Sequence, residues 1–185
     1  MTSVYKSHDR QCGASLIEVL IAILLLSFGL LALGAMLSYA VQAPKMSNMR
    51  AVAANIAASH IERIRANPTG YTSGSYTVTM SYDGTFSDVP LVNCSYPTCD
   101  PAKLAALDNS TVQRAARIEL PAGGVLVTCD TTPCSLAGAA NLWIIWQEPS
   151  TLAALNPSTS DNCPTQVTNT YTRPKPRCLY VRFKI

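Results

Sequence analysis

The first 13 residues, MTSVYKSHDRQCG, are polar and carry Lys6, Asp9 and Arg10, after which the chain turns apolar abruptly. From Val19 to Val41 there are 23 consecutive residues without a charge. As a helix that stretch is long enough to cross a hydrocarbon core of about 30 Å. Pro44 removes one helical hydrogen bond and favours a kink. Beyond it Met49, Val52, Ala53, Ile56, Ala57, His60, Ile61 and Ile64 recur at helical spacing. This periodicity predicts an amphipathic continuation, ended by Asn67-Pro68 and Gly70. Ala14 to Ala66 spans 53 residues, about 80 Å at 1.5 Å per residue. No small domain needs a helix that long for its own core. Part of its surface must therefore meet something other than its own domain.

After Gly70 the period changes. Tyr76–Tyr82 alternates and is rich in β-formers, which predicts a strand, and Lys103–Ile118 reads as a second helix. Pro121-Ala122-Gly123-Gly124 is a turn, followed by strands at Val125–Cys129, Leu142–Gln147 and Leu179–Lys184. Residues 150–175, rich in Thr, Asn, Ser and Pro, read mostly as loop. The expected fold class is α+β. A long N-terminal helix, transmembrane then amphipathic, packs on a C-terminal antiparallel sheet of these four strands. Trp143 and Trp146, flanking Ile144 and Ile145, mark a sheet strand most simply, with ligand stacking as the sharper alternative.

Composition narrows the picture. Apolar residues are 48% and charged residues only 14% of the chain, low for a fully soluble globule. At 185 residues there is room for about one ordinary domain. Net charge is +3, with basic residues gathered after the apolar span (Lys45, Arg50, Arg63, Arg65) and at the C-terminus. Arg173, Lys175, Arg177, Arg182 and Lys184 fill that terminus with no acid among them. A solvated face accounts for them; contact with nucleic acid or another surface is the alternative. Two histidines, His8 and His60, are too few for most hydrolytic or metal chemistry, and no catalytic motif is present. No cofactor or metal is called for, and the expected role is not enzymatic.

Three ordinary explanations of the N-terminus compete. A cleaved secretory signal should have an apolar region of about 7–15 residues, shorter than this one. A lipoprotein signal needs an apolar stretch before its cysteine, whereas Cys12 follows Asp9-Arg10-Gln11. A plain membrane anchor accounts for everything except Glu18, since a carboxylate in mid-bilayer costs roughly 2.5–3.5 kcal/mol on insertion scales.

Gly13 followed by Ala14-Ser15-Leu16-Ile17-Glu18-Val19-Leu20 resembles the class III signal of type IV prepilins. Within that family SLIEVLIAILLLSFGLLALGAM is most similar to minor pilins of the PilV type, through Leu-Ile-Glu-Val-Leu and Gly29-Leu30-Leu31. The resemblance implies cutting after Gly13 by prepilin peptidase, leaving Ala14 as the new N-terminus, methylated or not. The family usually has phenylalanine where this chain has Ala14. It further implies that Glu18, fifth in the mature chain, serves assembly. The implied partners are the peptidase, other minor and major pilins, and the inner membrane before assembly. A type II secretion pseudopilin shares this N-terminal machinery and stays an alternative. The segments so implied are a leader at 1–13, an assembly half-helix at 14–43, an amphipathic half at 44–67 and a periplasmic head at 68–185, with filament or tip as destination.

Cleavage after Gly13 would remove Cys12 and turn seven cysteines into six. An even count suits disulfides in an oxidising compartment. Cys94 with Cys99, and Cys129 with Cys134, each close a short proline-containing turn, leaving Cys163 to pair with Cys178. The competing reading is a four-cysteine zinc site, for which C-x₄-C is a fitting spacing.

Overall fold

The computed structural model describes residues 15–148, 161–171 and 175–185. Seven elements follow in order: α1 (Leu16–Ala66), α2 (Pro68–Thr72), α3 (Pro101–Glu119), β1 (Gly124–Cys129), β2 (Ala140–Gln147), α4 (Thr165–Thr170) and β3 (Pro176–Phe183). The chain divides into two compact units, Met1–Pro44 and Lys45–Ile185.

In the first unit the residues from Leu16 to Val41 are exposed at every position. Apolar side chains lie all around this stretch, which fits a helix whose surroundings are apolar on every side. α1 continues through Pro44, which removes a single rung and does not end the helix. Asn67 separates α1 from α2, its side-chain oxygen accepting from the Gly70 amide at 3.1 Å.

In the second unit the amphipathic stretch buries Met49, Ala53, Ile56, Ala57, Ile61 and Ile64 in one core cluster. Asp100 caps α3 by accepting from the Lys103 amide at 2.8 Å, and Pro101 opens the helix where its missing N–H costs nothing. α3 turns Ala105, Val112 and Ala116 into the same cluster. The sheet is antiparallel in the order β1-β2-β3, with Leu126 opposite Trp143 and Trp143 opposite Tyr180. Strand alternation divides its side chains between two faces. Val125, Val127, Leu142, Ile144, Trp146 and Phe183 join the helices, and Leu126, Ile145 and Cys178 join Tyr82, Ala122 and Val167 in a second cluster.

The expected α+β class holds, with a long N-terminal helix and an antiparallel sheet in the C-terminal region, but among the described residues the sheet has three strands. The segment Tyr76–Tyr82 makes only an isolated bridge, Val78 opposite Val127. Both bridge amides bond across at 3.1 Å. The pairing then slips by one residue, because Ser81 and not Met80 meets Val125. Its amide donates to the Val125 carbonyl at 3.1 Å and its hydroxyl accepts from the Val125 amide at 2.8 Å. A side chain thus replaces a ladder carbonyl, and the strand goes no further. Within the expected loop, residues 165–170 form α4.

Candidate functional site

The N-terminal half of α1 meets the length and composition needed to cross a membrane. Between Ser15 and Gln42 the only charged side chain is Glu18, in the first turn. The Ser15 carbonyl accepts from the Glu18 amide at 2.9 Å and from the Val19 amide at 3.2 Å, which fixes Glu18 close to the helix start. There a carboxylate also gains about 0.3–1 kcal/mol from the helix dipole. Two of the remaining polar groups are bonded within the helix: Ser27 donates to the Ile23 carbonyl at 2.7 Å and Gln42 to the Ser38 hydroxyl at 3.0 Å. Such back-bonding lets a hydroxyl sit in an apolar medium without an unmet donor. The proposed cut, Gly13 and Ala14, and with it Cys12, lies outside the described residues.

The six remaining cysteines stand in three bonded pairs. The Cα separations are 5.1 Å for Cys94 and Cys99, 5.4 Å for Cys129 and Cys134, and 5.3 Å for Cys163 and Cys178. These lie within the ordinary disulfide range. The first pair holds the turn before α3, the second the turn after β1, and the third ties the start of β3 to the segment leading into α4.

The C-terminal basic residues do not form one open face. The Arg177 guanidinium is buried, its side chain only 4% exposed, 2.9 Å from Asp161 and 3.4 Å from Glu148. Asp161 also pairs with Arg50 of α1 at 3.1 Å. Arg182 is exposed but held by Asp130 at 2.6 Å. Lys175 and Lys184 are exposed, and Arg173 lies outside the described residues. The run with no acid in its sequence therefore meets acids supplied from 130, 148 and 161. Neighbours in the chain carry no trace of those partners. Trp143 is half-buried, its indole N–H donating to the Asn162 carbonyl at 2.9 Å, while Trp146 is fully buried.

A polar network crosses the junction of α1 and α3. The Tyr76 hydroxyl donates to Asp108 at 2.7 Å and accepts from the Asn67 amide at 3.2 Å, while Arg63 pairs with Asp108 at 3.3 Å. Burial, then the bond to Asp108, pushes the Tyr76 phenol up. Beside it His60 is buried, and burial lowers its imidazole to about 4 against the pull of Asp108. On the far side of α3, Arg117 donates to Asp83 at 2.7 Å and to the Ser81 carbonyl at 3.0 Å. That bond holds the Asp83 carboxyl down to about 2. Sequence periodicity marked His60 as a helical position, but its lack of a hydrogen-bond partner among the described residues depends on remote segments.

Residues 8–34 match the prokaryotic N-terminal methylation motif. The motif supports a type IV pilin-like or pseudopilin-like prepilin, and implies processing by prepilin peptidase and assembly with other pilins. Together with the apolar helix it fits a membrane-anchored pilin. No curated protein and no solved structure matches the chain.

Proposed function

We propose that the chain is a minor pilin of the PilV type. Prepilin peptidase cuts it between Gly13 and Ala14, residues 14–43 hold it in the inner membrane, and residues 68–185 form a periplasmic head. It then enters a type IV pilus, priming assembly or standing in the tip complex, and acts by packing rather than by catalysis. The observation that carries this reading is the methylation motif at 8–34 running into a helix with every apolar side chain uncovered from Leu16 to Val41. Such a surface needs lipid first and neighbouring helices afterwards. The stapled head suits a subunit that folds in an oxidising compartment.

Mass spectrometry of sheared filaments and of membranes tests the proposal. The mature chain is expected in both fractions with Ala14 at its N-terminus, few copies per filament, and all six cysteines oxidised in the pairs given above. A native protein that begins at Met1, or near Val41, overturns the cut. Recovery with a secretion apparatus and never with pili replaces the pilus by a type II pseudopilus. Four free thiols with one bound zinc per chain would replace the staples by a metal site. Nucleic-acid contact through the C-terminal basic residues has less support, since Arg177 is buried and Arg182 is held by Asp130.

A further inference from the structure

The sheet ends in β1 on one side and in β3 on the other. Along β1 the edge is closed: Val127 and Val78 exchange amide bonds at 3.1 Å, and Ser81 takes both main-chain groups of Val125. The register of β3 with β2 runs unbroken from Pro176 opposite Gln147 to Phe183 opposite Ala140. In an antiparallel strand a residue's N–H and C=O point to the same side, and its neighbours in sequence point theirs to the other. Val125 and Val127 direct their groups to Ser81 and Val78, so Ile144 and Leu142 opposite them turn theirs to β3. There Leu179 and Val181 answer them. The N–H and C=O groups of Cys178, Tyr180 and Arg182 therefore point outward. Among the described residues nothing bonds to them.

Such an edge is a template for another strand, and folded proteins ordinarily blunt it with a bulge, an interior proline or a lysine. β3 carries none of these between Cys178 and Phe183. The exposed base there, Arg182, is turned over the sheet to Asp130 at 2.6 Å. Leu179 and Val181 pack against the helix-side cluster but stay half-buried, which leaves apolar surface uncovered. At the far end Arg65 reaches the Lys184 carbonyl at 3.4 Å and marks where the open edge stops. Charge then decides between two kinds of partner. Lys175 and Lys184 stand exposed at the two ends of the strand, with no acid between them in the chain. If two β3 edges paired about Tyr180, the register that matches all three outward residues, Lys184 of one copy would lie beside Lys175 of the other at both ends. Like charges so placed count against self-pairing. A foreign strand with acids at its ends meets the same lysines favourably.

We propose that β3 is a docking edge to which a different protein chain adds a strand. The added strand pairs its main chain with Cys178, Tyr180 and Arg182. It is apolar in the middle, where it covers Leu179 and Val181, and acidic at both ends, where it meets Lys175 and Lys184. Under the pilin reading the donor is another pilin subunit, but the edge and its chemistry do not depend on that reading.

Amide hydrogen exchange of the full chain in detergent, followed by NMR, reads the edge residue by residue. In the chain alone Leu179, Val181 and Phe183 are expected to exchange slowly and Cys178, Tyr180 and Arg182 fast. The probe is a synthetic peptide of alternating valine and threonine with a glutamate at each end, long enough to run from Lys175 to Lys184. At about ten times its dissociation constant it should slow the three outward amides about tenfold. The same peptide N-methylated at every residue has no N–H to donate and should protect none of them. With lysine in place of each glutamate the peptide should bind about fivefold more weakly. In the double variant Lys175→Glu with Lys184→Glu that preference should reverse, while slow exchange at Leu179 and Val181 shows that the strand is still in place. Outward amides that are already slow in the chain alone overturn the proposal, and where that protection rises with protein concentration the edge belongs to a second copy. No added protection at about 1 mM peptide, or equal protection by the N-methylated form, overturns it as well. Equal binding of the two charged peptides contradicts the acidic partner. All of these readings need only the folded chain, so their failure leaves the pilin assignment standing.

Discussion

Two single side chains give measurable consequences of opposite kinds, one for folding and one for assembly. His60 titrates near 6.5 in an unfolded chain and near 4 in the folded head. Between those values the unfolded chain binds a proton that the folded one refuses. Stability therefore falls as pH falls through this window, by up to about 3 kcal/mol. Asp83 acts in the same sense but lower: its folded pKa is depressed to about 2 from 3.8, so its contribution is lost only between those values. Urea midpoints of the full chain in detergent should thus decline from pH 6.5 to pH 4, and His60→Leu should flatten the decline. An unchanged slope in His60→Leu would assign the pH dependence elsewhere. Glu18 belongs to the first unit and the disulfides to the second, so Glu18→Ala should insert and keep a folded, oxidised head. Our reading gives its carboxylate the free amine of Ala14 on a neighbouring subunit. Breaking such a pair in low dielectric costs several kcal/mol because one charge is left alone. Glu18→Ala should be depleted from sheared filaments relative to membranes, with Glu18→Asp intermediate. Equal recovery of wild type and Glu18→Ala in the sheared fraction sinks the assembly role.

At the scale of elements, the strand β1 begins where two other backbones crowd it. A Cβ on Gly124 would collide with the backbone of Tyr82, and one on Gly123 with the backbone of Ala116. Neither neighbour can give way as a flexible side chain could. Gly124→Ala is therefore expected to cost about 3 kcal/mol, read as a lower urea midpoint by Trp146 fluorescence. Gly29→Ala, with nothing within 4 Å in this chain, should leave the midpoint unchanged. In the sequence Pro121-Ala122-Gly123-Gly124 announces a turn, yet the close approach is invisible there because it depends on residues 42 and 7 positions away. Periodicity makes the second half of α1, α3 and the three strands legible, since the helices bury one face and the strands alternate between two, each at its own period. It overstates the segment 76–82 for an instructive reason. Tyr76, Val78 and Tyr82 are buried in alternation as a strand would have them, but a period of two reports a face and not a partner. The Ser81 hydroxyl decides the pairing. The short α4 has no run long enough to carry a period. Of the candidate site, the Gly13–Glu18 frame and the cysteine spacings are local and can be read directly. The acids that neutralise Arg177 and Arg182 come from three separate loops and cannot.

At the scale of the whole head, the C-terminal strand is tied back twice at one place, and magnitudes decide which tie matters more. Cys163 bonds Cys178 across a separation of 15 residues, which the chain-entropy model values at about 3 kcal/mol. Immediately beside it Arg177 meets Glu148 and Asp161, and Asp161 reaches Arg50 on α1. This cluster draws α1, the end of β2, the segment before α4 and the start of β3 to one point. Replacing such a cluster whole by apolar groups can be neutral, but removing one partner leaves a buried charge and costs about 3–5 kcal/mol. Glu148 is the exposed flank of that argument: it is buried, and Arg177 is its only ion-pair partner among the described residues. Arg177→Met should therefore destabilise the head at least as much as Cys163→Ser with Cys178→Ser, although no covalent bond is lost. Adding Glu148→Gln to Arg177→Met should recover a large part of the loss, because the stranded charge goes while Asp161 keeps Arg50. Adding it to the double cysteine variant should make matters worse, since there it strands nothing and only weakens the remaining tie. Urea midpoints of these four variants of the full chain, measured in detergent near pH 7, decide the matter. A loss below about 1 kcal/mol for Arg177→Met, the size of an exposed pair, would mean that the disulfide alone holds the strand.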